Sequence, residues 1–360
     1  MDSVSSAAAL LINININEVT MNNMDRRSFL CLGAGALALP SIAYSAESCA
    51  DRTCKGEWTP LVEGPMSVPT SPVLKKVKFT NIEIGVGAEK PFRAIHCSDS
   101  HVAYMTVNDL LSGNNDLELA MFNKRLLQKP DALPSLAACV LKARRERIPL
   151  FHTGDLYDYE SAANISVVED AFKGVGECLY AVGNHEYHGH WRNGIKGAEI
   201  PPARARLNAA MPHDLTFASR IIGGVNFIAF DNGGFSYELA DLQFESMKRE
   251  FAKGLPTVVM CHLPLWSEKA ADDRLNSAGP FGECKPLKDR SSLRGLFYGC
   301  PFGSDRMAKR IVRWLKEQKN LKAVLCGHLH TECSYRFSET AIQYMAGAAY
   351  KGNAYEITFV

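Results

Sequence analysis

An α/β fold follows from two regularities of this 360-residue chain. Short apolar runs at 92–97, 148–151, 178–182, 257–261 and 323–326, each bounded by Gly, Pro or polar residues, have the length and composition of buried strands. Segments of helical period lie between them, and alternation of strands with helices is the pattern of an α/β protein.

The elements can be taken in chain order. Residues 46–73 are rich in Pro, Ser, Gly and Thr and read as a linker or an extended arm. Residues 75–86 alternate well enough for a strand, expected to pair with the run at 92–97. Ser135 is placed to open a helix that continues through Arg147, and a second helix falls within 160–174. Residues 215–229 are rich in strand formers. Phe244, Met247 and Phe251 then mark one face of a helix ahead of the run at 257–261. Ser304 is placed to cap a further helix, in which Met307, Ile311 and Leu315 share a face and basic residues gather near the carboxyl end. Residues 334–360 add antiparallel strands.

Each apolar run ends in a polar cluster. The clusters are Asp99-Ser100-His101, Gly154-Asp155-Leu156-Tyr157-Asp158, Gly183-Asn184-His185-Glu186, His262 and Gly327-His328-Leu329-His330. Open α/β sheets place their ligand crevice just past the carboxyl ends of the strands, so five loops should assemble one site. In extended backbone, side chains at i and i+2 point the same way, which lets Asp99 with His101, and His328 with His330, each converge on one place. The donors are oxygen and imidazole, a set that suits Mn, Fe, Zn or Ni without choosing among them.

The order D-x-H, G-D-x-x-D, G-N-H-E, H, G-H-x-H resembles the calcineurin-like metallophosphoesterase family, over about residues 75–360. The resemblance implies two mixed sheets packed face to face with helices outside, a four-layer α/β/β/α sandwich. It implies two divalent metal ions, the first held by Asp99, His101, Asp155 and His330, the second by Asp155, Asn184, His262 and His328. Such ions, roughly 3.5–4 Å apart, repel each other, so a shared carboxylate and a shared hydroxide must lie between them. The pKa of the bridging water falls from about 15.7 toward neutrality, which supplies a nucleophile for in-line attack on phosphorus. By the same resemblance His185 is a donor to the transition state or the leaving oxygen, with Asp158 orienting and charging its ring. Purple acid phosphatases carry a tyrosine three residues past the bridging aspartate. Asp158 stands there in this chain, with tyrosines only at 157 and 159, which disfavours a tyrosinate-bound ferric ion.

Of the remaining histidines, His96 and His152 lie three residues before a motif aspartate inside expected strands, where a core or supporting role fits best. His188 and His190, with Trp191, could line the rim. Residues 102–130, 187–214 and 263–303 are long inserts between motifs and should border the crevice, where they set specificity. The third carries Trp266, Lys269, Arg274, Lys285, Lys288, Arg290 and Arg294, read by default as a solvated face.

Met24-Asp25-Arg26-Arg27-Ser28-Phe29-Leu30 opens an uncharged apolar stretch to about Tyr44 that resembles a twin-arginine export signal, 24–45, cleaved near Ser45. It is short and broken by Pro and Gly, so no stable membrane anchor is expected. Residues 1–23 have no export or globular logic, which points to a true start at Met21 or Met24. The phosphoesterase domain is then 74–360, periplasmic or otherwise exported, with the twin-arginine translocase as its partner in transit. Forty basic against 39 acidic residues give no electrostatic footprint for nucleic acid. Among eleven cysteines, Cys97, Cys261, Cys326 and Cys139 read as buried thiols. Cys49 with Cys54, and Cys284 with Cys300, lie in loop-like segments and could form disulfides, with other pairings, including Cys333, left open. The expected activity is hydrolysis of a small-molecule phosphomonoester. A phosphodiesterase acting on a small-molecule or cell-envelope substrate is the alternative, and a binding scaffold is disfavoured because every ligand and His185 are present.

Overall fold

The computed structural model describes residues 77–105, 116–187, 200–233 and 239–360. The expected leader, the linker, Cys49, Cys54, His188, His190 and Trp191 lie outside them. Two mixed sheets form. The first has β1 (Lys78–Ile84), β2 (Phe92–Cys97), β3 (Leu150–His152), β4 (Cys178–Tyr180) and β11 (Asn353–Phe359), in the order β1-β11-β2-β3-β4. The second has β5 (Phe217–Ile222), β6 (Val225–Phe230), β7 (Thr257–Met260), β8 (Leu321–Cys326), β9 (Cys333–Arg336) and β10 (Ile342–Met345), in the order β5-β6-β7-β8-β10-β9. Strands β2, β3 and β4 run parallel, as do β6, β7, β8 and β10.

The sequence of β6 shows how the layers arise. Val225, Phe227 and Ala229 face the other sheet, in a layer with Ala94, Phe151, Leu179, Val258, Leu325, Ile357 and Phe359. Ile228 and Phe230 face the opposite way, toward helices. A strand covered on both faces needs apolar residues at both parities, which is why these runs are continuous rather than alternating. Phe151 and Phe227 meet across the two sheets with ring centroids 4.7 Å apart. Outside the first sheet lie α1 (Asp116–Gln128), α2 (Ala132–Glu146), α3 (Ala162–Phe172) and α4 (Ile200–Ala210), of which α2 and α3 build a core with β2 and β3. Against the second sheet pack α5 (Ala240–Phe251), α6 (Glu268–Asn276) and α7 (Arg306–Glu317). The result is the four-layer sandwich. Among the described residues no helix is long and apolar enough to cross a membrane.

Several sequence expectations change in detail. β1 does not pair with β2; β11 lies between them, parallel to β1 and antiparallel to β2. The reason is burial: Ala354, Tyr355, Ile357 and Phe359 of β11 are enclosed, whereas β1 is largely accessible and suits an edge. Helix α2 begins at Ala132 rather than Ser135, with Pro134 in its first turn, where a missing N–H costs nothing. Helix α7 is capped by Asp305, not Ser304: the Asp305 carboxylate accepts the Ala308 amide at 2.9 Å. Cys284 and Cys300 are free thiols that pack in the core under the second sheet, and Cys333 is also free. Cys97, Cys139, Cys261 and Cys326 are buried, as expected.

Candidate metal centre

The five polar clusters meet at the carboxyl ends of β2, β3, β4, β7 and β8, in three groups whose donor atoms lie within 4.8 Å of one another: Asp99, His101 and His330; Asp155, His262 and His328; and His101, Asp158 and His185. The loops reach this arrangement by turning sharply. Asp99, His101, Asp155, His328 and His330 all have left-handed backbone, with φ between 48° and 71°. The extended i, i+2 alignment expected for Asp99 with His101 and for His328 with His330 is therefore not the geometry. His328 joins His262 and Asp155, and His330 joins Asp99 and His101, so these two neighbours part to separate groups.

Asp155 lies between the groups. Its Oδ2 is 3.3 Å from His262 Nε2, 3.6 Å from His101 Nε2 and 4.0 Å from His185 Nε2. Asn184 Oδ1 is 3.2 Å from His262 Nε2, so the third motif also faces this centre. Two motif glycines make the crowding possible. At Gly154, with φ of 90°, a Cβ would sit 2.5 Å from His262 Nδ1 and 2.7 Å from the Gly183 backbone. At Gly327 it would collide with the side chains of Ser98 and Asp99.

Each of the four expected imidazole ligands has its outer nitrogen engaged. His101 Nδ1 is 2.8 Å from Asp158 Oδ1, His262 Nδ1 is 2.7 Å from the Thr153 carbonyl, His328 Nε2 is 3.0 Å from the Gly295 carbonyl, and His330 Nδ1 is 3.3 Å from the Tyr350 hydroxyl. With the outer nitrogens so placed, the inner ones turn toward one another: His101 Nε2 and His330 Nε2 are 3.1 Å apart, His262 Nε2 and His328 Nδ1 3.2 Å. An acceptor behind each ring, fixing its tautomer and orientation, is the usual support of a metal-bound histidine. Asp99 Oδ1 is buried 3.1 Å from His330 Nε2. These donors fit a pair of cations.

The electrostatics agree. Burial by itself would raise Asp99, but the His330 hydrogen bond and the charge of His262 hold it well below the usual carboxylate range; Asp155 is likewise held low, against burial, chiefly by His262. Burial would lower His262, yet Asp155 and Asp99 push it up to about 10, so the carboxylates demand positive charge here. Burial pushes His101 and His328 down to about 4, leaving neutral rings with a lone pair to offer.

Asp158 has more partners than the sequence suggested. Besides His101 Nδ1 it accepts from Lys129 Nζ at 2.7 Å and pairs with Arg125. His185 Nδ1 is 3.4 Å from its carboxylate but 2.8 Å from its backbone carbonyl, which takes that ring hydrogen. Glu186, part of a motif but without an assigned role, accepts the amides of Asp155, Leu156 and Gly183 at 2.9, 2.6 and 2.7 Å, and so ties the β3 loop to the β4 loop. Burial, then the Asp155 charge, pushes it up to about 7. Asn232, just past β6, accepts the amides of His262 and Leu263. Thr153 and Gly295 act through carbonyls, which carry no residue-type signal. Arg125, Lys129 and Tyr350 lay in segments read only as an insert and as strands.

His96 and His152 are core residues, bonded to the hydroxyls of Thr153 and Ser100 at 2.9 Å. In the third insert Lys269 pairs with Asp273, and Arg290 with Glu268 and Asp272, as a solvated face does. Tyr157 and Tyr159 are buried, and the Tyr157 hydroxyl donates to the Glu186 carbonyl.

Compared with known families, residues 92–332 match the calcineurin-like phosphoesterases. Among solved structures the chain is similar to a dimetal phosphatase from Danio rerio, at 15% identity and TM-score 0.39, covering 72% of this chain and 88% of that one. It is also similar to a 5'-nucleotidase from Candida albicans, at 12% identity and TM-score 0.37, covering 76% of this chain and 47% of that one, about half its length. No curated protein matches significantly.

Proposed function

Because this chain belongs to the calcineurin-like phosphoesterase family, and is thus a metal-dependent phosphoester hydrolase, we propose that it hydrolyses small-molecule phosphomonoesters at the centre around Asp155. The observation that supports this reading most directly is the set of four imidazoles with engaged outer nitrogens and converging inner ones.

In this proposal Asp99, His101 and His330 hold one divalent ion, Asn184, His262 and His328 the other, and Asp155 both. Two such ions supply Lewis acidity and activate water at neutral pH. The protein residues do the rest. Thr153, Asp158, Gly295 and Tyr350 hold the rings at fixed orientation, and Glu186 and Asn232 hold the loops that carry Asp155 and His262. His185 has Nδ1 committed to the Asp158 carbonyl and Nε2 turned to the centre, so Nε2 is the atom from which a proton reaches the leaving oxygen.

The test is a paired assay of the metal-loaded protein on para-nitrophenyl phosphate and its bis ester, with elemental analysis for Mn, Fe, Zn and Ni. Higher kcat/KM on the monoester supports the proposal; preference for the bis ester replaces it with a phosphodiesterase. We also propose export through the twin-arginine pathway, resting on Arg26-Arg27 and the apolar stretch behind them. Amino-terminal sequencing of the secreted protein checks it: a mature end near Ser45 is expected, and one before Arg26 would refute it.

A further inference from the structure

We propose that Lys129, Arg125 and Lys351 form an anion subsite beside the first ion position, which takes a second negatively charged group carried by the alcohol portion of the ester. The inference rests on the phosphoesterase reading above and names a substrate class for it. Its centre is Tyr350, which stands edge-on to two expected ligands of one ion. The Tyr350 ring centroid is 5.6 Å from that of His101 and 5.3 Å from that of His330, at 78° and 79°, and its hydroxyl is 3.3 Å from His330 Nδ1. Two ammonium groups lie by the same ring, Lys129 Nζ at 5.1 Å and Lys351 Nζ at 5.7 Å from the centroid. Cations at such distances from an aromatic ring are held there by its quadrupole. Both are therefore held beside Tyr350, whose hydroxyl backs the expected ligand His330.

Apart from the carboxylates assigned to the ions, the cations here outnumber their partners. Asp158 is a single carboxylate gripped by two cations, Lys129 and Arg125, one helical turn apart at the end of α1. It is also bonded to His101, which leaves little of it to offer elsewhere. No carboxylate pairs with Lys351 among the described residues. Lys129 and Arg125 thus outnumber the one carboxylate that pairs with them, Lys351 adds a further cation by the ring, and the other carboxylates nearby, Asp99 and Asp155, are those assigned to the ions; only 11% of the Lys129 side chain is exposed. A partly desolvated excess of positive charge favours an anion more than the same charge in open water. The Lys129 ammonium has three donors, of which Asp158 uses one. A simple alcohol gives these groups nothing to bind. A carboxylate or second phosphate on that alcohol does.

The test compares two esters of equal carbon count, glycerol 3-phosphate and 3-phosphoglycerate, of which only the second carries a carboxylate. The metal-loaded wild type should favour 3-phosphoglycerate by about tenfold in kcat/KM, equivalent to about 1.4 kcal/mol, mainly through KM, and the preference should shrink at high salt. Lys129→Met and Lys351→Met should each bring the ratio toward one, and Lys351→Arg should restore it. Because loss of Lys129 also removes a partner of Asp158, Lys351→Met is the decisive variant, its residue being exposed and clear of that carboxylate. Lys319→Met, at the end of β8 opposite the site, should keep the wild-type ratio. A wild-type ratio near one, or a ratio unmoved by Lys351→Met, overturns the subsite while leaving the phosphoesterase reading intact. Failure to cleave either ester and para-nitrophenyl phosphate overturns both.

Discussion

Among the described residues seven non-glycine positions have left-handed backbone, and five of them are Asp99, His101, Asp155, His328 and His330. Asp and His tolerate this region better than most side chains, yet it remains uncommon, and such strain concentrates where a site requires it. The sequence supplied the residue types and their order but not this geometry: i, i+2 reasoning holds for extended backbone and fails where each loop reverses. Taken alone it puts His328 beside His330, which the fold separates as the family resemblance implied, while Asp99 and His101 do converge. Roles that act on other residues were harder still to read. Glu186 could be seen in its motif, but its three amide partners come from two loops. At pH 8, where the Glu186 carboxyl is ionised, Glu186→Gln removes one acceptor oxygen and the charge that strengthens those bonds, and urea unfolding should show a loss of about 2 kcal/mol; unchanged stability would remove Glu186 from the support of Asp155. For His185→Asn the expectation is opposite in kind. Metal content should stay at the wild-type value while kcat falls by about 10²–10⁴, and wild-type turnover in this variant would exclude His185 as the donor.

At the scale of elements, the buried strands were legible because enclosure on both faces imposes an unbroken apolar run. The edge was not, since β1 carries no mark of whether β2 or β11 lies beside it. Helix ends were readable to within a few residues. Asp305→Ala should cost α7 about 1 kcal/mol while Ser304→Ala costs almost nothing, and the reverse order in thermal unfolding would restore Ser304 as the cap. Helix α1 went unread because its purpose is long-range: Arg125 and Lys129 reach Asp158 from an insert with no motif. Strands β2 and β3 also carry a pH liability. Burial pushes both His96 and His152 down to about 3, against about 6.5 in the unfolded chain. Between those values the native state binds fewer protons, so their contribution to stability is fully present above about pH 6.5 and is lost as pH falls toward 3. In metal-free protein, His152→Gln should flatten the decline of unfolding free energy between pH 6.5 and 4 by up to about 1.4 kcal/mol per pH unit. An identical slope in the two proteins would count against a neutral buried imidazole.

For the whole molecule, two sheets packed face to face bring five loops from 99 to 330 into one crevice. That the crevice exists was inferable from the strand ends alone. Which inserts border it was inferable only in outline: the first insert supplies Lys129 and Arg125, and the third supplies the Gly295 carbonyl behind His328. The central claim is that Asp155 joins two ion positions in one site. Metal stoichiometry of the wild type and of Asp155→Asn, by elemental analysis after equilibrium dialysis, tests it most directly. Two ions per chain in the wild type, and at most one in Asp155→Asn with phosphoester hydrolysis lost, is the predicted result. Two ions retained by Asp155→Asn, or hydrolysis at the wild-type rate, would contradict it.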